Sequence, residues 1–380
     1  MKRSSRVRLI AACVSTLLAL AAIEVGLRVV GYAPLAAALD GKGQVLRTSD
    51  DPDLRYELTP SSAGHGWGTY VEVNSRGFRD TEYPLAKGDR RRIVVVGDSI
   101  TFGNHLELER TYSERLESAL NRRGQEPPID VLNLGVGGYD TAQEVAQLER
   151  IGLQFEPDLV VVGFCVNDLG IVSVTMDHSW SEDDRENPLY LSRIAQGCRS
   201  FLGERRRRRE AASWGSDDVY ARAFADEIAT LDDDPALVAR MEDLRDALRA
   251  ARDEPTAGPV LARRIPPRWY TSPTRVGRFR WALDRLAELS REHGFSVVIT
   301  IVPYLDEEPL FAHSYGIVRH LAEARSMAVI EAEEEFRGVG LAELRIDALD
   351  PVHPDERGHA ILAEKLEGFV RGLGWRQPGG

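Results

Sequence analysis

The chain has 380 residues, 43% of them apolar and 28% charged, which suits one large globular domain or two modest ones. A net charge of −12 excludes a surface of the nucleic-acid-binding kind, which needs clustered Lys and Arg against phosphate. Three cysteines, none in Cys-x-x-Cys spacing, exclude a disulfide scaffold and a cysteine metal centre, and a Cys165–Cys198 bridge is open but not demanded.

Lys2, Arg3, Arg6 and Arg8 precede an apolar run, Leu9 to Ile23, with Glu24 and Arg28 beyond it. A basic stretch followed by an apolar one is the pattern of an export segment, so residues 1–32 are expected to be a signal anchor or signal peptide. Ala19-Leu20-Ala21 is a passable cleavage site. The favoured expectation is an uncleaved membrane anchor in a bacterial inner membrane, with the bulk of the chain outside the cytoplasm. Residues 33–90 read as a lead-in punctuated by Gly and Pro. Within it Tyr70–Asn74 alternates like a half-buried strand, and Ser75-Arg76-Gly77-Phe78 forms a turn.

From Arg92 strand and helix patterns alternate. Apolar runs predict strands at Ile93–Val96, Ile129–Leu134, Leu159–Phe164, Phe295–Val302 and Met327–Ile330. Helices are predicted at Thr111–Arg123, Ala142–Ile151, Trp281–His293 (ended by Gly294) and Asp355–Val370. Such alternation implies a three-layer α/β/α sandwich around a five-stranded parallel, flavodoxin-like sheet in the order 2-1-3-4-5. Residues 91–371 form this domain and 372–380 a C-terminal tail. Residues 172–280 break the rhythm and read as an insertion after the third strand, with an acidic helix around Asp233–Arg252. The Arg205–Arg209 run between Glu204 and Glu210 reads as a solvated helix face.

The first strand ends in Gly97-Asp98-Ser99, which sets a serine hydroxyl at the C-terminal edge of the sheet, where open α/β folds bind ligands. A serine needs a base within hydrogen-bond reach and a third group to orient that base. Asp350-Pro351-Val352-His353 offers a carboxylate and an imidazole on one short loop, although a helix-capping turn is an equally open reading of that segment alone. Oxyanion donors are available from the turns after strands one to three: the Ser99 N–H, the Gly-rich Asn133–Gly138 turn and the Asn167 amide. Asp98 reads as a turn or cap residue, and Asp168 as support for the Asn167 turn.

These four segments, in this order, resemble the SGNH (GDSL-type) esterase/lipase family. The resemblance covers residues 70–171 and 281–370 and implies an exported, membrane-anchored serine hydrolase of ester bonds. By position it implies Ser99 as nucleophile, Asp350 and His353 as the orienting acid and base, and Ser99, Gly138 and Asn167 as the oxyanion hole. The sequence departs from the family pattern at Cys165, where the third block carries glycine. That cysteine lies in an apolar strand without a neighbouring base and reads as an inert buried thiol.

No cofactor or metal is expected. Asp140 stands where a dinucleotide loop beginning at Gly135 needs Gly or Ala, and His105, His178 and His313 lack ligand spacing and read as surface or packing residues. Trp180, Trp214, Trp269 and Tyr270 read as packing within the insertion, with a stacking wall for a sugar or acyl chain as the alternative. The expected partner is a small-molecule or glycan ester, with no nucleic acid, membrane contact through the N-terminal anchor and an open oligomeric state. Two other functions stay open: an envelope polysaccharide O-acyltransferase, in which a sugar hydroxyl resolves the acyl-serine, and a non-catalytic envelope binding module on a hydrolase fold.

Overall fold

The computed structural model describes residues 3–29, 45–51, 53–54, 56–122, 127–170, 224–252, 267–307, 309–348 and 350–375. The chain divides into two units, Met1–Gly43 with Thr175–Ser213, and Gln44–Val174 with Trp214–Gly380. Of the first, the described part is one helix, α1 (Arg3–Val29). Among the described residues no helix is long and apolar enough to cross a membrane, so the expected membrane anchor is not supported. Its apolar run is bounded by Arg8 and Glu24 and at 1.5 Å per residue spans about 22 Å, short of a hydrocarbon core of about 30 Å.

The second unit is built on the predicted sheet. Strands β5 (Arg91–Gly97), β6 (Ile129–Asn133), β7 (Leu159–Phe164), β8 (Ser296–Ile301) and β9 (Ala328–Glu331) follow four short lead-in strands. They run parallel in the order β6-β5-β7-β8-β9, which is the expected 2-1-3-4-5. Every residue of β7 is buried, as its Val-rich run requires when helices cover both faces. Among the covering helices, Tyr112–Asn121 packs beside Glu356–Gly372, and Thr141–Arg150 beside Pro273–His293. Thr111, Asp140 and Asp355 cap three of these helices through their side chains, which sets where each begins.

The helix expected from Trp281 instead starts at Pro273, a residue suited to a first helical turn. A helix at Leu310–Glu323 joins β8 to β9, and the acidic segment forms a helix at Pro235–Arg252. Residue 171, and 172–223 and 253–266 of the insertion, with His178, Trp180, Cys198, the Arg205–Arg209 run and Trp214, lie outside the described residues.

The lead-in forms two antiparallel hairpins, β1 (Leu46–Thr48) with β2 (Tyr56–Leu58) and β3 (Ala63–Gly66) with β4 (Thr69–Glu72). The following turn is fastened by Asn74, whose side-chain oxygen accepts from the Arg76 and Phe78 amides. Gly77 there has φ +88°, a left-handed conformation that favours glycine. Phe78 then enters the core edge-on to Phe155.

Candidate active site

Strand β5 delivers Ser99 to the carboxyl edge of the sheet as the first residue of a four-residue helix, Ser99–Phe102. Asp98 caps this helix by accepting the Ile100 amide at 2.9 Å. The helix lies almost on the strand ends. A Cβ at Gly97 would stand 2.0 Å from Thr101 Oγ1, and one at Gly135 would stand 2.3 Å from the Phe102 nitrogen. Both positions therefore need glycine for close approach, which the Gly-Asp-Ser turn supplies at 97 and the Gly-rich turn at 135. Asn133, ending β6, ties the two together by donating to Thr101 O at 2.9 Å and accepting from Gly135 N at 3.0 Å.

From the far end of the chain, the Asp350–His353 loop meets Ser99. His353 Nε2 lies 2.8 Å from Ser99 Oγ, and His353 Nδ1 lies 2.7 Å from Asp350 Oδ2. With Nδ1–H donating to the carboxylate, Nε2 is left to accept the serine proton. The loop is fixed at both ends: Leu305 N donates to Pro351 O at 2.8 Å, and Ile346 N donates to His353 O at 3.0 Å. Asp350 Oδ1 also accepts the Val352 and His353 amides. Burial opposes the charge on Asp350, but the His353 contact and these two amides outweigh it and hold the carboxyl down at about 2. Ser99, Asp350 and His353 are all partly exposed, so the chain of contacts opens to solvent.

The remaining predicted positions lie around this chain. Asn167 Nδ2 donates to Asp98 Oδ2 at 2.9 Å, and the same oxygen lies 3.2 Å from Ser99 Oγ, whose proton points to the nearer His353 Nε2. Asp98 is thus more than a cap: it links the asparagine to the serine. Gly138 is buried with φ +85° in the turn closed by Tyr139 N donating to Val136 O. Its neighbour Gly137 faces the site, since a Cβ there would be 3.8 Å from Ser99 Cβ.

Cys165 does not disturb the third block. It is absent from the residues with left-handed backbone, its amide donates to Asp168 Oδ2 at 2.9 Å, and Gly170 N closes on Asn167 O at 2.8 Å. Burial pushes the Cys165 thiol up, as an inert free thiol requires. The same burial raises the Asp168 carboxyl beneath it.

Four residues join the site without having been expected there. Arg79 is almost fully buried and donates to Phe102 O, Gly103 O and Leu106 O at 2.7, 2.8 and 2.7 Å. This grips the loop that holds Asn104, whose Nδ2 is 3.4 Å from His353 Nε2. His105 is exposed, with its ring 6.3 Å from that of His353, and its amide donates to Trp67 O at 2.7 Å. Trp67, at the tip of the β3–β4 hairpin, packs on Phe102 at 4.8 Å. Both Trp67 and His105 have φ above +50°, a strained backbone for such large side chains. By contrast Tyr270 is core, its hydroxyl donating to Val166 O, while Trp269 stacks with Arg275 beside Gly170. Among the described residues no group of His, Cys, Asp and Glu is arranged to hold a metal ion.

Residues 95–361, well over half of the chain, match the GDSL-like Lipase/Acylhydrolase family. The chain belongs to that family. The matched span of this GDSL-like family member begins inside β5 and includes Ser99, Gly138, Asn167, Asp350 and His353. It is also similar to an arylesterase of Vibrio mimicus, 31% identical over 77 residues, a stretch covering 20% of this chain and 38% of the relative. Among solved structures it resembles the acetylxylan esterase Axe2 of Geobacillus stearothermophilus, with 15% identity, a TM-score of 0.40 and coverage of 77% of this chain and 98% of the other. The lipase/acylhydrolase of Enterococcus faecalis matches with 16% identity and a TM-score of 0.39, covering 74% and 96%.

Proposed function

We propose that this chain is a serine esterase that hydrolyses small carboxylic esters, including acetyl esters of carbohydrates, through an acyl-Ser99 intermediate. The observation that carries the reading is the continuous contact from Ser99 Oγ to His353 Nε2 and from His353 Nδ1 to Asp350. His353 takes the Ser99 proton as Oγ attacks the ester carbonyl. Asp350 holds the tautomer and offsets the charge on the imidazolium. The Ser99 and Gly138 amides and Asn167 Nδ2 face the oxyanion, each donor contributing roughly 3–4 kcal/mol to the transition state. His353 returns the proton to the leaving alcohol, then deprotonates a water that attacks the acyl-serine and releases the acid.

The contact of Asn167 Nδ2 with Asp98, whose other neighbour is Ser99, supports the donor role of Asn167, and the arylesterase relative supports an ester as substrate. The basic-then-apolar N-terminus supports export, with the catalytic unit outside the cytoplasm. Cell fractionation with N-terminal sequencing of the recovered protein tests that part; recovery in the cytoplasm refutes it.

The catalytic part is tested with Ser99→Ala on p-nitrophenyl acetate. Turnover falls to background while the thermal unfolding transition is kept. Full activity in the variant refutes the mechanism. Product analysis with a labelled acyl donor and a sugar acceptor shows free acid; label on the sugar instead indicates acyl transfer.

A further inference from the structure

Asn104 is 92% buried, yet its Oδ1 has no hydrogen-bond partner among the described residues. An unsatisfied buried acceptor is destabilising, so such groups call for an explanation, and a ligand that completes them is one. This one is held in place with care. The Asn104 amide donates to Ser99 O at 3.0 Å, and Arg79 grips the carbonyls of Gly103 and Leu106 on either side of it. Its Nδ2 lies 3.4 Å from His353 Nε2, the atom that hands a proton to the departing alcohol. Its Oδ1 lies 3.9 Å from the position a Cβ would take on Gly137, a point itself 3.8 Å from Ser99 Cβ. The carboxamide therefore borders the space between the nucleophile and the base and presents its acceptor there, with Trp67 Nε1 3.7 Å from the same Cβ position.

We propose that Asn104 is a substrate-contacting residue that accepts a hydrogen bond from a hydroxyl next to the scissile ester oxygen. The site then selects esters of polyols, such as monoacylated vicinal diols of sugars or glycerol, over esters of simple alkanols. A substrate hydroxyl supplies the donor that Oδ1 lacks, whereas an alkyl or ether group leaves the acceptor buried and unpaired. Discrimination by such a site exceeds that by apolar fit, because the wrong substrate leaves a polar group unpaired. The proposal rests on the serine esterase reading above.

The test compares kcat/KM for 2-hydroxyethyl acetate with that for 2-methoxyethyl acetate and propyl acetate, in the intact chain and in Asn104→Leu. The alcohols of the first two have similar leaving ability and differ in the hydrogen-bond donor. The wild-type chain prefers the hydroxylated ester by about tenfold or more. Asn104→Leu reduces that preference to about twofold or less. A purely structural Asn104, one that only steadies His353, lowers all three esters alike and leaves their ratio intact; that result overturns the proposal. Ser99-dependent turnover with no hydroxyl preference in the wild type also overturns it, while the esterase reading stands. Absence of Ser99-dependent turnover on every ester overturns the esterase reading, and this proposal with it. Should Asn104→Leu fail to fold, the wild-type comparison decides alone.

Discussion

Replacing Arg79 by Met tests how far the lead-in builds the active site. The side chain is buried and donates to three carbonyls, those of Phe102, Gly103 and Leu106, while its guanidinium lies 4.9 Å from the Phe102 ring centre. Hydrogen bonds from a charged donor contribute roughly 1.5–3 kcal/mol each, so the three bonds together reach about 4–9 kcal/mol. Against this stands the desolvation of the cation, visible in a pKa pushed down to about 10 from 12.5. The shift, net of Glu107 and Glu109 pulling the other way, sets about 3 kcal/mol against the charged form and places the expected loss at or below the lower end of that range. The net expected loss is about 3 kcal/mol in unfolding free energy. It is read from guanidinium denaturation at pH 7 as a lower midpoint at unchanged slope. Loosening of the Gly103–Leu106 loop should also lower kcat/KM on a small acetyl ester by about tenfold or more, because misplacement near 1 Å has effects of that size or larger. A stability loss under about 1 kcal/mol with unaltered kcat/KM would refute the reasoning.

Two further outcomes concern carboxyl groups whose ionisation the fold shifts. Burial raises the Glu114 carboxyl to about 7 and Asp80, which accepts the Asn133 amide at 2.8 Å, well above its ordinary range. A folded-state value above the unfolded one means the folded chain takes up a proton from pH near 4.5 to 7, so stability falls as pH rises through that window. Glu114→Gln should flatten this decline and gain about 2 kcal/mol at pH 8 relative to pH 5, as read from denaturation at both pH values; an unchanged pH profile contradicts it. Asp350→Asn should lower kcat by roughly 10²–10⁴ with the fold kept, because Asn leaves the imidazole without its countercharge and correct tautomer; a loss under tenfold would place the orienting role elsewhere.

The sheet was legible because its strands are short β-branched runs with almost no other reading, and, apart from the insertion between the third and fourth, their spacing suits a helical crossover. The Gly-Asp-Ser turn and the Asp350–His353 pair were legible for a related reason: each is a local motif whose spacing alone brings its groups to one loop. Arg79, Trp67 and Asn104 were not. An arginine before an aspartate reads as surface unless one knows that three carbonyls 23 to 27 residues later need a donor. Trp67 is placed by a hairpin tip whose left-handed backbone has no sequence signal in a tryptophan. Asp98 read correctly as a cap, but its second role depends on Asn167, 69 residues away, and only the fold brings the two together. The membrane anchor is not supported for a different reason: among the described residues no helix is long and apolar enough to cross a membrane, and a basic-then-apolar pattern does not by itself set the uninterrupted length, which Glu24 cuts short.

The most direct test of the central claim is labelling of the folded, full-length chain with a fluorophosphonate, followed by mass spectrometry of its peptides. A nucleophilic Ser99 served by His353 predicts one stoichiometric adduct on the peptide holding Ser99, lost in His353→Ala. An unlabelled chain, or an adduct on another residue, would contradict it.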